Sequence, residues 1–538
     1  MPQPNILIFN PDQMRADALG HLGNAAAHTP NFDALLTDGV SFRNAFVQNP
    51  ICTPSRCSFM SGWYPHVRGH RTIAHMMRPD EPVLLRELKN AGYHVWVDER
   101  GDLLPGDNKN AYKGYADTVF VPKKKLDMQG GATPRGEADG GNYYSMYRGI
   151  IPTAKGRDDI YDMDAAWVEG AERFIRKPPK NKPFCLFLPL QYPHPPYQIA
   201  QKYYDEIDPA KIPPRIPTPD WDAAGKPSIL KGICALQNLG GWDEPRWAEL
   251  RRVYLAMCAR VDAQFGQIVA ALKESGQYDN TAIFVFSDHG DFTGDYGLTE
   301  KNQNTFEDCL TRVPFLVKPP KGIPIQPGIR ENPVELVDFY ATAAALSGIT
   351  PDHTHFGKSL LPLLADDAAS HRDYVFSEGG RLHSEPHCNE SYYQKDIVSP
   401  EVYYYPRMKM QESQGPEHTK ATMIRSRTHK YVHRLYEKDE LYDLQKDPGE
   451  QYNVIDEPAY AAELMTLKQE MLRWYQETAD AVPYEEDSRA AHGVVLTYAK
   501  SATPYPAYLG VRLLLALGVK PSSIAALGLR INRKRGNG

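Results

Sequence analysis

Residues 29–71 read TPNFDALLTDGVSFRNAFVQNPICTPSRCSFMSGWYPHVRGHR, with Cys52-Thr-Pro-Ser-Arg-Cys-Ser-Phe-Met-Ser-Gly62 at their centre. Arg56 sits one helical turn after Cys52. Just upstream, residues 31–39 have helical spacing, with Phe32, Leu35 and Leu36 on one face and Gly39 as the stop. Outward from this core, strand-like runs alternate with helical ones. Residues 5–9, 93–97, 184–190, 281–287 and 313–317 read as short buried strands, and 83–91, 247–271 and 333–346 as helices. Continuous apolar strands alternating with helices predict an α/β fold, a mixed, mostly parallel sheet covered by helices on both faces. In such sheets reactive groups gather beyond the C-terminal strand ends.

The chain has 538 residues and a net charge of −6, with 42% hydrophobic and 24% charged residues. That is a globular composition, and its near-balanced charge gives no electrostatic argument for nucleic acid or an anionic membrane. The 45 Pro and the excess of Tyr (32) over Phe (18) predict long ordered loops. Residues 101–149 and 203–242 read as such loops over the sheet edge. Seven scattered cysteines with no CxxC pair argue against a zinc ribbon or a disulfide framework. Residues 1–4 run straight into the first strand without a signal-peptide pattern, so the expected location is the cytoplasm, or the periplasm or exterior if the chain is trimmed.

Three units are expected: a catalytic α/β domain over 1–370, a smaller C-terminal α+β domain over 371–481, and an extension over 482–538. The second has strands at 422–427, 431–436 and 440–444 and a helix at 459–479. The apolar run 508–519 is too short to span a membrane and reads as a packed or dimer-contact helix, making the extension a candidate homo-oligomer contact.

Three groups fall at strand ends: Asp12-Gln13 after the first strand, Pro193-His194-Pro195 after 184–190, and Asp288-His289-Gly290-Asp291 after 281–287. Singly, Asp12 reads better as a helix N-cap and His289 as a satisfied loop histidine. Together, carboxylate, carboxamide and imidazole at one sheet edge make a divalent-metal site.

The Cys-x-Pro-x-Arg run of Cys52, Pro54 and Arg56 resembles the signature of the type I sulfatases, which share the alkaline phosphatase-like fold. The surrounding order matches too: Asp12 after a strand, TPN at Thr29, YPH at Tyr64, PH at Pro193, SDHG at Ser287, Lys301 and ELYDLQKDPGE from Glu440. The resemblance implies that Cys52 is converted to formylglycine by a formylglycine-generating enzyme. It also implies one divalent ion, Ca²⁺ or Mn²⁺, on Asp12, Gln13, residue 52, Asp288 and His289. One hydroxyl of the hydrated aldehyde would attack sulfur, and deprotonation of the other would expel sulfate.

By the same resemblance Arg56 and Lys301 contact the sulfate and His194 protonates the leaving alcohol. His70 and His75 lie where the family places polar groups, although His75 reads equally well as a loop histidine. The family's lysine after the strand at 93–97 is absent, and Arg100 stands in for it electrostatically. Gln13 and His289 replace the commoner Asp and Asn, a pattern similar to choline sulfatases and phosphonate monoester hydrolases. Both changes weaken the case for Ca²⁺.

The expected activity is hydrolysis of a sulfated carbohydrate or small organic sulfate. The Tyr-rich loops and the cluster 378–384 are read as sugar-facing. A phosphonate monoester or phosphodiester hydrolase and a catalytically silent sulfated-glycan-binding protein are the competing readings.

Overall fold

Along Asn5–Pro11 the side chains alternate between two buried faces, Leu7 and Phe9 joining one apolar cluster and Ile6 and Ile8 the other. A strand dry on both sides belongs in the interior of a covered sheet. In the computed structural model this strand lies inside a nine-stranded sheet. The structure describes residues 3–484, apart from 107, 125, 128–134, 136–141, 394–398, 403 and 414, together with 514 and 520.

In chain order the strands are β1 Asn5–Pro11, β2 Val40–Phe46, β3 His94–Asp98, β4 Thr118–Phe120, β5 Tyr147–Ile150, β6 Phe184–Leu190, β7 Tyr197–Ile199 and β8 Thr281–Phe286. They continue with β9 Arg312–Val313, β10 Phe315–Lys318, β11 Gly328–Glu335, β12 Val375–Gly379, β13 Ala421–Arg425, β14 His429–Arg434 and β15 Glu440–Asp443. The large sheet has the order β11-β2-β10-β8-β1-β6-β3-β4, with β9 on β2. Its pairings are parallel except those made by β9 and β10. In register, Ile6 pairs with Cys185 and Ala282, and Ile8 with Phe187 and Phe284.

The helices Glu244–Glu274 and Met163–Arg176 pack against one face of the sheet. Each starts at an aspartate whose side chain accepts a backbone N–H, Asp243 from Arg246 and Asp162 from Ala165. Phe265 of the longer helix lies 5.2 Å from Phe9 and 5.0 Å from Phe32, ring centre to ring centre. The helices Cys52–Ser61, Leu84–Asn90 and Val337–Ser347 cover the other face, where Phe339 meets Phe59, Phe284 and Phe286. The sheet is mixed, mostly parallel and sandwiched by helices. A second sheet, β12-β13-β14-β15, is wholly antiparallel. Leu467, Met471 and Trp474 of the helix Ala461–Thr478 pack with it, Trp474 stacking on Phe376 at 4.5 Å.

Two expected elements are corrected. The helix read over 333–346 begins at Val337, because Pro333, Val334 and Glu335 pair with Asn44, Ala45 and Phe46 of β2. Strand β11 is at the sheet edge, where a proline removes no ladder bond. The strand read over 313–317 is divided at Pro314 into β9 and β10, since proline has no N–H to donate.

Residues up to Pro351 and His355–Ala481 form one compact unit carrying both sheets and the short β5–β7 pair. The run 508–519, read as a packed or dimer-contact helix, lies outside the described residues except for position 514. Among the described residues no helix is long and apolar enough to cross a membrane.

The three-ring contact at Phe265 predicts that Phe265→Ala lowers stability by about 3–5 kcal/mol in chemical unfolding. A loss below about 1 kcal/mol, ordinary for any substitution, would mean that this cluster does not hold the helix to the sheet.

Candidate active site

Strands β1, β3, β6 and β8 run the same way, so their C-terminal ends open on one edge. Asp12 and Gln13 follow β1, Arg100 follows β3, His194 follows β6, and Asp288 and His289 follow β8. Cys52 opens the helix Cys52–Ser61; it is half-buried, while the rest of the helix is buried.

Arg56 is buried and bridges two carboxylates. Its Nε donates to Asp288 Oδ2 at 3.0 Å and its Nη2 to Asp12 Oδ2 at 3.2 Å. Arg100 Nη2 donates to the same Asp12 oxygen. Burial works to raise the Asp12 carboxyl, but the guanidinium groups of Arg100 and Arg56 outweigh it and hold it well below the usual carboxylate range. His289 Nδ1 donates to the Gly290 carbonyl at 3.0 Å, leaving Nε2 as its lone-pair side. That atom faces Asp12 Oδ1 at 3.4 Å, and both are buried without a hydrogen bond.

Two lone pairs facing each other in a dry site are costly without positive charge between them. One ligand atom each from Asp12, Cys52, Asp288 and His289 lies within 4.8 Å of the others. This donor set fits a divalent cation, with the orphaned Asp12 and His289 atoms its strongest indication.

Gln13 has a left-handed backbone (φ 71), held by Asp288 Oδ1 on its N–H at 3.1 Å and by Tyr254 OH on its carbonyl at 2.8 Å. Its Oε1 accepts from Lys301 at 2.7 Å and its Nε2 donates to Asp291 at 2.6 Å. Lys301 Nζ also reaches Glu300 at 2.8 Å and His194 Nε2 at 2.8 Å, so its three protons have three partners. Burial opposes the ammonium, but Glu300 prevails and raises Lys301 well above the ordinary lysine range. Glu300 is held by Arg407 at 3.1 Å, and Arg407 by Glu390 at 2.9 Å.

His194 Nδ1 donates to the Pro195 carbonyl at 2.6 Å, so Nε2 is the acceptor for Lys301. Burial, then Lys301, pushes its pKa down to about 4. At neutral pH it is therefore an uncharged imidazole.

Cys52, Arg100, His194 and Lys301 line one cavity of about 480 Å³, together with Ile73, Tyr192, Tyr404 and Arg407. Arg56 lies behind it. His70 and His75 do not line it. His70 is buried, with Nδ1 on the His75 carbonyl at 2.8 Å and Nε2 3.0 Å from Glu81, and His75 Nδ1 lies 2.6 Å from Thr72 Oγ1. Both thus brace the turn that carries Ile73. None of residues 378–384 lines the cavity either. Glu378 binds His66, and Arg381 binds the carbonyls of Leu382, Gln411 and Ser413.

Tyr404 and Arg407 escape sequence reasoning, because no motif marks them and they reach the site from far along the chain. Asp291 stands in a quoted motif, but only its contact with Gln13 gives it a part.

Residues 4–349 match the family described as Sulfatase. The chain is 26% identical over 525 residues to a choline-sulfatase of Rhizobium meliloti (strain 1021), covering 94% of this chain and 93% of that one. It is 23% identical over 539 residues to an N-acetylglucosamine-6-O-sulfatase of Bacteroides thetaiotaomicron, covering 88% and 87%. The solved phosphonate monoester hydrolase SpPMH from Silicibacter pomeroyi is similar with a TM-score of 0.67 at 26% identity, covering 88% of this chain and 96% of that one. The family match spans more than half of the chain and places the protein in the sulfatase family, the hydrolases of sulfuric esters.

Proposed function

We propose that the protein releases inorganic sulfate from a small organic sulfate or a sulfated sugar, with a formylglycine made from Cys52 as its nucleophile. The position of Cys52 carries this reading. Among the described residues it is the cysteine that both lines the cavity and stands within ligand distance of Asp12, Asp288 and His289. As a thiol it is poorly suited to attack, because burial, then the Asp12 carboxylate, push it far above the ordinary thiol range. A hydrated aldehyde at that position supplies one hydroxyl to attack sulfur and a second whose deprotonation re-forms the aldehyde and releases sulfate.

Asp12, Gln13, Asp288 and His289 would hold the cation, which lowers the proton affinity of a neighbouring oxygen and offsets sulfate charge. The imidazole donor of His289 favours Mn²⁺ over Ca²⁺. Arg56 balances Asp12 and Asp288 from behind, so these carboxylates stay in place whatever occupies the cavity. Arg100 and Lys301 reach the cavity and neutralise sulfate oxygens.

The leaving alcohol takes its proton from the Lys301–His194 pair. Lys301 carries that proton, and the neutral His194, whose Nδ1 is tied to the Pro195 carbonyl, accepts from Lys301 through Nε2 at 2.8 Å and holds the ammonium toward the cavity. The cavity, at about 480 Å³, suits a ligand of monosaccharide size or smaller.

Hydrolysis of phosphonate monoesters or phosphodiesters is the second reading, since these present the same single negative charge on a tetrahedral centre. The likeness to the Silicibacter pomeroyi enzyme favours it. Steady-state rates on matched aryl sulfate, phosphodiester and phosphonate esters test the choice. The sulfate should have the largest kcat/KM, and a larger value on a phosphorus ester would reverse the assignment. Mass spectrometry of the Cys52 peptide after coexpression with the modifying enzyme should show the aldehyde. A persistent thiol would favour a sulfate-binding protein without turnover.

Two variants probe the steps. Cys52→Ser keeps one hydroxyl and lacks the second, so covalently sulfated protein should accumulate after a single turnover; continuous turnover at the parental rate would refute the two-hydroxyl scheme. His194→Ala should slow alkyl sulfates by about 10²–10⁴-fold and p-nitrophenyl sulfate, whose leaving group needs little protonation, far less. Equal losses on both would remove His194 from leaving-group protonation.

A further inference from the structure

We infer that Asp291 dictates the carboxamide at position 13: it turns the Gln13 side-chain oxygen toward Lys301 and the cation site and excludes a carboxylate there. The inference rests on the cation site proposed above.

Asp291 is fully buried and lies on the turn that carries Asp288 and His289. Its carboxylate is surrounded by donors. Oδ2 accepts from Gln13 Nε2 at 2.6 Å and Tyr197 OH at 2.9 Å; Oδ1 accepts from Thr293 N at 2.6 Å, Thr293 Oγ1 at 2.7 Å and Tyr197 OH at 2.8 Å. A carboxylate so placed can only accept, so Gln13 must present its NH₂. On the opposite side Lys301 has only protons to offer and takes the amide oxygen at 2.7 Å. Both neighbours dictate one orientation, and the amide has no second way to sit.

A glutamate at position 13 has the same shape but would bring an anionic oxygen to within the 2.6 Å now spanned by a hydrogen bond to Asp291. In a dry environment that contact is strongly unfavourable. The negative charge thus sits one layer back from the cation site, on Asp291. Tyr197 ties this layer to the Lys301 loop, since its hydroxyl donates to Asp291 and accepts from Glu300 N at 2.9 Å. Asp291 is thus a positioning residue that sets the charge and the facing of Gln13.

A charge swap tests this. Gln13→Glu, Asp291→Asn and the double variant are stripped of metal with a chelator. Their Tm is read by circular dichroism, and Ca²⁺ and Mn²⁺ binding by calorimetry. Each single variant should melt several degrees below the parent. The double variant, in which the amide introduced at position 291 can donate an N–H to the carboxylate introduced at position 13, should recover most of that loss. It should also bind Ca²⁺ at least 10-fold better relative to Mn²⁺ than the parent does, because the charge has moved onto a cation-facing oxygen.

If Gln13→Glu does not fold, recovery of a folded double variant is the same rescue. Losses that simply add in the double variant, an unchanged Tm in Gln13→Glu, or an unaltered Ca²⁺ to Mn²⁺ ratio would each overturn the inference. These readouts need no ester turnover, so failure of the sulfatase chemistry would leave them intact and distinguishable.

Discussion

The buried guanidinium of Arg56 is the contact on which the working edge of the sheet depends. Asp12 and Asp288 end neighbouring strands, and backbone pairing alone forces their carboxylates together in a place without water. Arg56 lies between them, and Arg100 takes the outer side of Asp12. Breaking such a pair by removing one partner typically costs about 3–5 kcal/mol, because the other charge stays buried. The two aspartates are therefore held in position by cations of the chain itself. Two of the unsatisfied atoms that remain, Asp12 Oδ1 and His289 Nε2, form the acceptor side of what else the place can hold.

A second layer of charge comes from the C-terminal part of the chain. Glu390 holds Arg407, Arg407 holds Glu300, and Glu300 holds Lys301. Glu300 and Asn304 have left-handed backbones at φ 66 and 72, which cost free energy and persist only where surroundings fix them. Asn304 is fixed by its bonds to the Glu417 and Thr419 carbonyls and by Arg434 on its own carbonyl. The strand-end catalytic groups thus depend on residues that lie far away in sequence.

This distribution explains what is legible in the sequence. Residues 5–9, 184–190 and 281–287 are apolar on both faces, a pattern that only a covered parallel sheet uses, and that rule alone directs attention to Asp12, His194 and Asp288. Strand β2 is hidden because Arg43 and Asn44, both half-buried, interrupt its apolar run. The start of the helix Val337–Ser347 is hard to place because its spacing runs on through residues that instead pair with β2. Arg407 and Tyr404 carry no local signal, since their meaning lies in contacts with Glu300 and His194. The histidines at 70 and 75 show the reverse: a position near a motif suggests chemistry, while their bonds serve the turn around Ile73.

The burial of the helix Cys52–Ser61 has a bearing on the order of events in the life of the chain. From Thr53 to Ser61 every residue is shut away between the sheet and Val337–Ser347, and Cys52 meets the outside only through a cavity sized for a small molecule. A catalyst as large as a protein would have to reach Cys52 through that cavity, because the residues that follow it are buried. On the proposed reading of Cys52 as a precursor, its conversion belongs to the time before this helix docks, so that folding itself closes the window for activation.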